Sequence, residues 1–492
     1  MARKKIILFV KTLIALTFLQ SAFIQANPKV TLPPNTGTIA MGELARAEAN
    51  GYSEQEFFFE GTATAYKNVG ALGDDGRFRV EPDTTAPYRM RMVVRAPQDP
   101  ARFNGLVLVE WFNVSGQVEA GPEFGYLFRE MFREGYAYVG VGAQYVGLHG
   151  AQGLKASDPE RYASLTHPGD SFSYDIFSQA ARAIRQPGDI KPLGELTDKV
   201  RLLIAAGESQ SAGRMVTYVN AIHPIAKVYD AYFIHSRSAS GSALAQAGET
   251  GGVAATIRLP GVVPIPTDID VPVFQFQAET DVPRFVPARQ ADTNKIRTWE
   301  MTGTAHYDQY GLSGGGERPL SMNCFGDNAE ANVPINDGPQ TFLLRAGLRS
   351  LRAWMENGKA PASAPPLQID GNQIARDSKT GNALGGVRTP HIDVPLRTLH
   401  GDRGDAGGGR FCFLFGRTDE WNGDSDPYDG KAADPSPTPE PNLRELYSTQ
   451  ANFLNQFQAS LRQTIQAGFL LADDSEEILA EVRQQSGRLG SE

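Results

Sequence analysis

The sequence predicts an α/β fold: a mostly parallel central sheet flanked by helices, carrying a lid-like insertion and additions at both ends. The main observation is a rhythm. From residue 105, the apolar run 106–110 is followed by helical spacing over 121–135 and a second apolar run at 136–141. It continues as a helix over 174–185, a strand at 200–206, a helix over 213–222, and strands at 231–234 and 271–277. Strands separated by helices pair in parallel through right-handed crossovers. The second observation is bulk: 492 residues, 41% hydrophobic and 21% charged, suffice for one large buried core with additions.

The elements follow in order. Arg3, Lys4 and Lys5 precede an apolar stretch, 6–24, that is interrupted at Lys11 and closes on Ala26. This pattern predicts a signal peptide over 1–26 with cleavage after Ala26, and hence a secreted or periplasmic protein. No later segment approaches the roughly 18 uninterrupted apolar residues of a membrane span, so no stable membrane insertion is expected after cleavage. Residues 27–100, punctuated by Gly and Pro, read as an N-terminal β-rich lead-in with a strand at 88–94. The catalytic core is expected over 101–315. Within it, 236–268 is rich in Ser, Ala and Gly and would overhang the carboxyl ends of the strands as a lid. Residues 316–492 read as C-terminal additions packing on the core, with helices over 339–356, 443–466 and 474–485 and a linker over 423–442. The net charge of −9, with no basic run beyond the N-terminus, argues against a nucleic-acid partner. Cys324 and Cys412 are the only cysteines, and in an exported chain they are expected to form one disulfide.

Chemistry is concentrated at Gly207-Glu208-Ser209-Gln210-Ser211. A nucleophilic serine held on a strand-to-helix turn needs small residues two places before and two after, so that the chain can reverse tightly. Gly207 and Ser211 meet that demand, although a serine stands where a second glycine is usual. A rival register places the nucleophile at Ser211, but the turn should follow the strand directly, which favours Ser209.

A serine hydroxyl needs a base and an acid that orients it. After the strand 271–277 come Glu279 and Asp281, and Gly303-Thr304-Ala305-His306 follows the strand-like 298–301. The chain order serine, acid, histidine fits this fold class. Asp281 is preferred over the alternative acid Glu279, because a step of three residues past the strand carries its side chain toward the histidine. Of the seven histidines, His149 and His167 precede the serine, His223 lies at the far end of the following helix, and His391 and His400 come after the βα core. His306 remains as the base, and His235, ending a strand, is expected to line the pocket. The oxyanion hole is expected from the amide of Gln210 and from Asn113 and Val114 in the loop after 106–110. Trp111 in the same loop is a candidate substrate contact, although core packing is the preferred reading for it. No metal site is read: Asp424, Asp426 and Asp429 lack calcium-loop spacing, and no His or Cys pair has zinc spacing.

The segments 103–115, 207–214, 274–281, 303–306, 386–390 and 411–416 together resemble the large bacterial alpha/beta hydrolase domain proteins, over about 60–490 of the chain. The resemblance implies the alpha/beta-hydrolase fold and carries over Ser209 and His306 as catalytic, with Asp281 or Glu279 as the acid. It supplies no substrate. The expected reaction is hydrolysis of a small-molecule carboxylic ester by a Ser-His-Asp triad through an acyl-enzyme, without a cofactor. Amide or lactone hydrolysis is the alternative within the same chemistry, and a non-catalytic binding protein on a hydrolase scaffold is the alternative outside it.

Overall fold

The computed structural model describes residues 27–244, 260–314, 335–402, 412–421 and 441–489. The expected signal peptide, the middle of the insertion, Cys324 and the Asp424 to Asp429 loop lie outside the described residues.

Nine strands form one sheet in the order β1-β2-β3-β5-β4-β6-β7-β8-β9. They are β1 (Lys29–Thr31), β2 (Tyr52–Asn68), β3 (Val80–Pro97), β4 (Leu106–Trp111), β5 (Ala137–Val141), β6 (Leu202–Glu208), β7 (Ala231–His235), β8 (Val273–Ala278) and β9 (Ile296–Met301). The pairings β5-β4, β4-β6, β6-β7, β7-β8 and β8-β9 are parallel. Strands β4, β5, β7 and β8 are buried at every residue, as expected where helices cover both faces. The lead-in is no separate layer. Its long β2-β3 hairpin extends the same sheet, with β3 antiparallel to β5.

Alternation along the strands divides the core in two. Val107, Val109 and Trp111 of β4 pack toward α2 (Ser173–Arg185) and α3 (Gln210–Thr217), with Phe177, Ile184 and Met215 in the same apolar cluster. Leu106 and Leu108 pack on the opposite face, against α1 (Pro122–Glu134), α4 (Gln340–Asn357) and α5 (Gln450–Ala467). The chain moves from β4 outward to β5 and then returns to place β6 on the other side of β4. The crevice at the carboxyl ends of β4 and β6 is therefore a topological switch point, where ligands bind in open α/β sheets.

Glu110 starts α1. Its carboxylate accepts the Glu123 and Phe124 amides at 2.9 and 3.1 Å, two donors that the helix leaves unpaired, and the Tyr138 hydroxyl at 2.7 Å. Burial, and then the neighbouring Glu123, push its carboxyl up to about 8. The folded chain thus holds a proton that the unfolded chain releases near the ordinary glutamate value, so stability falls as pH rises from there to about 8. Melting curves across that range should show a flatter decline for Glu110→Gln than for wild type.

The C-terminal additions fasten onto the second face. Arg345 of α4, fully buried, meets Asp474 at 3.2 Å and Glu477 at 2.8 Å at the start of α6 (Ser475–Gln485). The single helix expected over 443–466 is two. Ser448 adopts a φ of +64°, and Thr449 starts α5 by accepting the Asn452 amide on its side chain at 3.2 Å.

Candidate active site

Strand β6 ends at Glu208 and α3 begins at Gln210, so a single residue makes the reversal. Ser209 has φ +60° and ψ −115°, a backbone state that side-chain-bearing residues rarely adopt and that costs about 1–3 kcal/mol. Surrounding bonds hold it there: its N–H donates to the His235 carbonyl at 2.9 Å, and its own carbonyl accepts the Gly213 N–H at 3.1 Å. A Cβ on Gly207 would come within 2.9 Å of the Ser211 carbonyl oxygen, which explains the small residue at that position. Ser211 is wholly buried inside α3, whereas Ser209 lines the cleft.

His306 stands over Ser209. Its Nε2 is 2.8 Å from the Ser209 Oγ and its Nδ1 is 2.6 Å from the Asp281 Oδ1, so one imidazole bridges the hydroxyl and the carboxylate. Thr280 fixes the loop by accepting the His306 N–H at 3.0 Å. Burial acts to lower the imidazole's proton affinity, but the charges of Asp281 and then Glu208 raise it well above the usual histidine value. Burial would likewise lift the Asp281 carboxyl, yet His306 holds it below the ordinary aspartate range.

Glu279 has other work. Its carboxylate accepts the amides of Gly303 at 2.5 Å and Gly401 at 3.1 Å and pairs with Arg376 at 2.9 Å, tying three loops behind the site. Histidines outside the cleft are engaged elsewhere: His223 with Asp270 at 2.7 Å, His400 with Asp419 at 3.1 Å, and His167 with the Ala143 carbonyl at 2.9 Å.

Two expected substrate contacts are corrected. Trp111 is fully buried in the core, its ring 4.9 Å from Phe177 and its indole N–H donating to Gln144 at 2.9 Å, because alternation along β4 puts it on the face of Val107 and Val109. His235 lies beneath Ser209 instead of in the cleft wall. It is fully buried beside Tyr126 and Glu123, and burial pushes its imidazole down to about 4.

The expected oxyanion loop is adjacent to Ser209, but the Asn113 amide N–H is already given to the Ala120 carbonyl at 2.9 Å, so it is not a free donor. The Asn113 side chain instead donates to the Glu208 carbonyl and carboxylate at 3.0 and 3.1 Å. Gln210 occupies the first position of α3, where a helix leaves its amide without an internal partner.

The cleft encloses about 540 Å³. Its floor holds Ser209, His306, Asp281 and Glu208, and its walls include Leu312, Phe413, Leu414 and Phe415. The last three come from the C-terminal additions, more than a hundred residues after His306, and the sequence marked them only as part of the resemblance segment 411–416. Glu208 was also missed as a site residue, although its adjacency to Ser209 was the available signal. Arg237, wholly buried at the start of the insertion, donates to the carbonyls of Ala239 and Val263 at 3.0 and 2.6 Å and to Gln275 of β8 at 3.1 Å. Ala239 also accepts the Val263 N–H at 2.8 Å. Among the described residues, no His, Cys, Asp and Glu group could hold a metal ion, and no helix is long and apolar enough to cross a membrane.

A family model described as alpha/beta hydrolase domain matches residues 25–480. The chain belongs to the alpha/beta hydrolase domain family. Solved structures similar to this hydrolase include a lidless α/β serine hydrolase from Xanthomonas campestris, at 13% identity over 50% of this chain and 86% of that one, with a TM-score of 0.29. An esterase from Rhizomucor miehei aligns at 11% identity over 64% of this chain and 89% of its own, with a TM-score of 0.32. An alpha-beta serine hydrolase homologue from Coxiella burnetii aligns at 10% identity over 44% and 84%, with a TM-score of 0.27. No protein of curated function matches the sequence of this hydrolase.

Proposed function

We propose that this hydrolase cleaves a small-molecule carboxylic ester through an acyl-enzyme on Ser209. The observation that carries the reading is the imidazole of His306, within hydrogen-bond reach of Ser209 on one nitrogen and of Asp281 on the other, above a serine in a strained turn. In this reading the Ser209 oxygen attacks the ester carbonyl as its proton passes to His306 Nε2. The same proton then goes to the departing alcohol, and water repeats the sequence to release the acid. The amides of Gln210 and Val114 would receive the oxyanion, and the apolar walls of the cleft favour an ester with a hydrophobic portion.

A fluorophosphonate probe should label wild type and not Ser209→Ala, with the mass increase mapped to the peptide containing residue 209. Well-folded wild type that resists the probe would sink the reading. We also propose export with cleavage after Ala26 and a Cys324–Cys412 disulfide. The intact mass of protein recovered from the producing cell's envelope or medium, before and after reduction and alkylation, checks both.

A further inference from the structure

We propose that Glu208 is a positioning residue: its carboxylate, fixed against the second ring nitrogen of His306, stabilises the imidazolium that forms when Ser209 attacks. The proposal deepens the hydrolase reading and rests on it for its kinetic consequences. Glu208 Oε1 lies 3.0 Å from His306 Nε2, while Asp281 Oδ1 lies 2.6 Å from Nδ1, so each nitrogen of the ring faces a carboxylate oxygen. An orienting acid on the far side is enough to set the tautomer. A second carboxylate beside the nitrogen that shuttles the proton adds charge where positive charge develops.

The placement is fixed rather than incidental. Glu208 closes β6 and is 3% exposed, and the Asn113 side-chain amide holds its other carboxylate oxygen at 3.1 Å. Among the described residues, no arginine or lysine forms an ion pair with it, so the imidazolium is its counterion. The other groups facing the pair leave that role open. Glu123 on α1 is buried, and desolvation and then the charge of Glu208 push its carboxyl well above the ordinary glutamate range, so it supplies Glu208 with no positive partner. His235 is neutral for the reason given above. Tyr126 and Tyr307 are raised, chiefly by burial, and stay un-ionised. Arg284 lies at the exposed rim of the cleft, over the Phe413 ring.

In the acylation step, the Ser209 O–H bond breaks, an N–H bond forms at Nε2, and a C–O bond forms at the carbonyl carbon as the C=O π pair moves onto its oxygen; collapse of that oxyanion re-forms C=O and breaks the bond to the alcohol oxygen, which takes the proton from Nε2. The charge on the ring at that moment lies between Asp281 and Glu208. Activity requires the neutral ring at rest, so the rate rises with pH through the titration of His306. The carboxylate that stabilises the imidazolium also moves this rise to higher pH.

Glu208→Gln keeps an oxygen for Asn113 and removes the charge. The acid limb of kcat/KM against pH should move about one pH unit or more toward acid, and the alkaline plateau should fall about tenfold or more. The curves of variant and wild type should therefore converge at low pH. The same acid-ward movement should appear in the His306 imidazole resonances of histidine-labelled protein titrated without substrate. Glu208→Asp, should Glu208→Gln fail to fold, should fall between the two. A folded variant whose limb and His306 resonances both stay where wild type has them, whatever its plateau, overturns the proposal. Wild type that hydrolyses no ester while its His306 titration still moves in the variant would defeat the hydrolase reading and leave the role of Glu208 standing.

Discussion

Ser209→Ala and His306→Ala are each expected to lower kcat for ester hydrolysis by about a million-fold, and the double variant by little more than either alone. The reason is the single line of contact from hydroxyl to imidazole, 2.8 Å long. Without the imidazole, the hydroxyl keeps its proton at neutral pH. Without the hydroxyl, the imidazole has no nucleophile to activate. What survives is the rate given by binding and oxyanion donors, which both variants retain. Steady-state rates for the three variants on one activated ester, with circular dichroism to confirm folding, make the comparison. If the two losses instead multiplied in the double variant, the residues would act independently and the relay would be wrong.

Asp281→Asn should cost about ten-thousand-fold in kcat with little change in melting temperature. The 2.6 Å contact to His306 Nδ1 requires an oxygen acceptor there. An amide that turns its NH2 toward the ring favours the tautomer with the proton on Nε2, the nitrogen that must be bare to take the Ser209 proton. Glu279→Gln, two residues away, should do the reverse: a loss of about 2 kcal/mol in unfolding free energy, because Arg376 loses one of its two carboxylate partners and keeps Asp402, and near-normal kcat in the protein that remains folded. A Glu279→Gln variant as inactive as Asp281→Asn would show that the acid had been assigned to the wrong carboxylate.

The central strands were legible because parallel strands buried on both faces read as continuous apolar runs, and 106–110, 136–141 and 271–277 each lie within two residues of β4, β5 and β8. Ser209, Asp281 and His306 were legible for a related reason: Ser209 directly follows β6, Asp281 lies three residues past the end of β8 and His306 five past the end of β9, so these parallel strands bring all three to one end of the sheet. The errors came from direction, not location. Trp111 and His235 were placed at the right strand ends, but period-two alternation turns both into the core, as the apolar partners Val109 and Phe233 two residues earlier already indicate. The break at Ser448 was hidden because apolar periodicity continues across it, and a change in one backbone angle leaves no mark on composition. Phe413 and Phe415 reach the cleft only through long-range packing of the C-terminal additions, which no local pattern encodes.

Arg237 bears on how this protein can vary. Because Ala239 and Val263 are bonded to each other and to one guanidinium, the described parts of the segment between β7 and β8 are tied together beside the cleft. Past that tie the chain runs on into the core, where Leu244 is buried and the Ser242 and Ala243 carbonyls accept the Tyr174 hydroxyl at 3.2 and 2.9 Å. Exchange in this stretch is therefore bounded twice: a replacement has to keep the carbonyls that Arg237 grips and the apolar side chain that fills the space under α2.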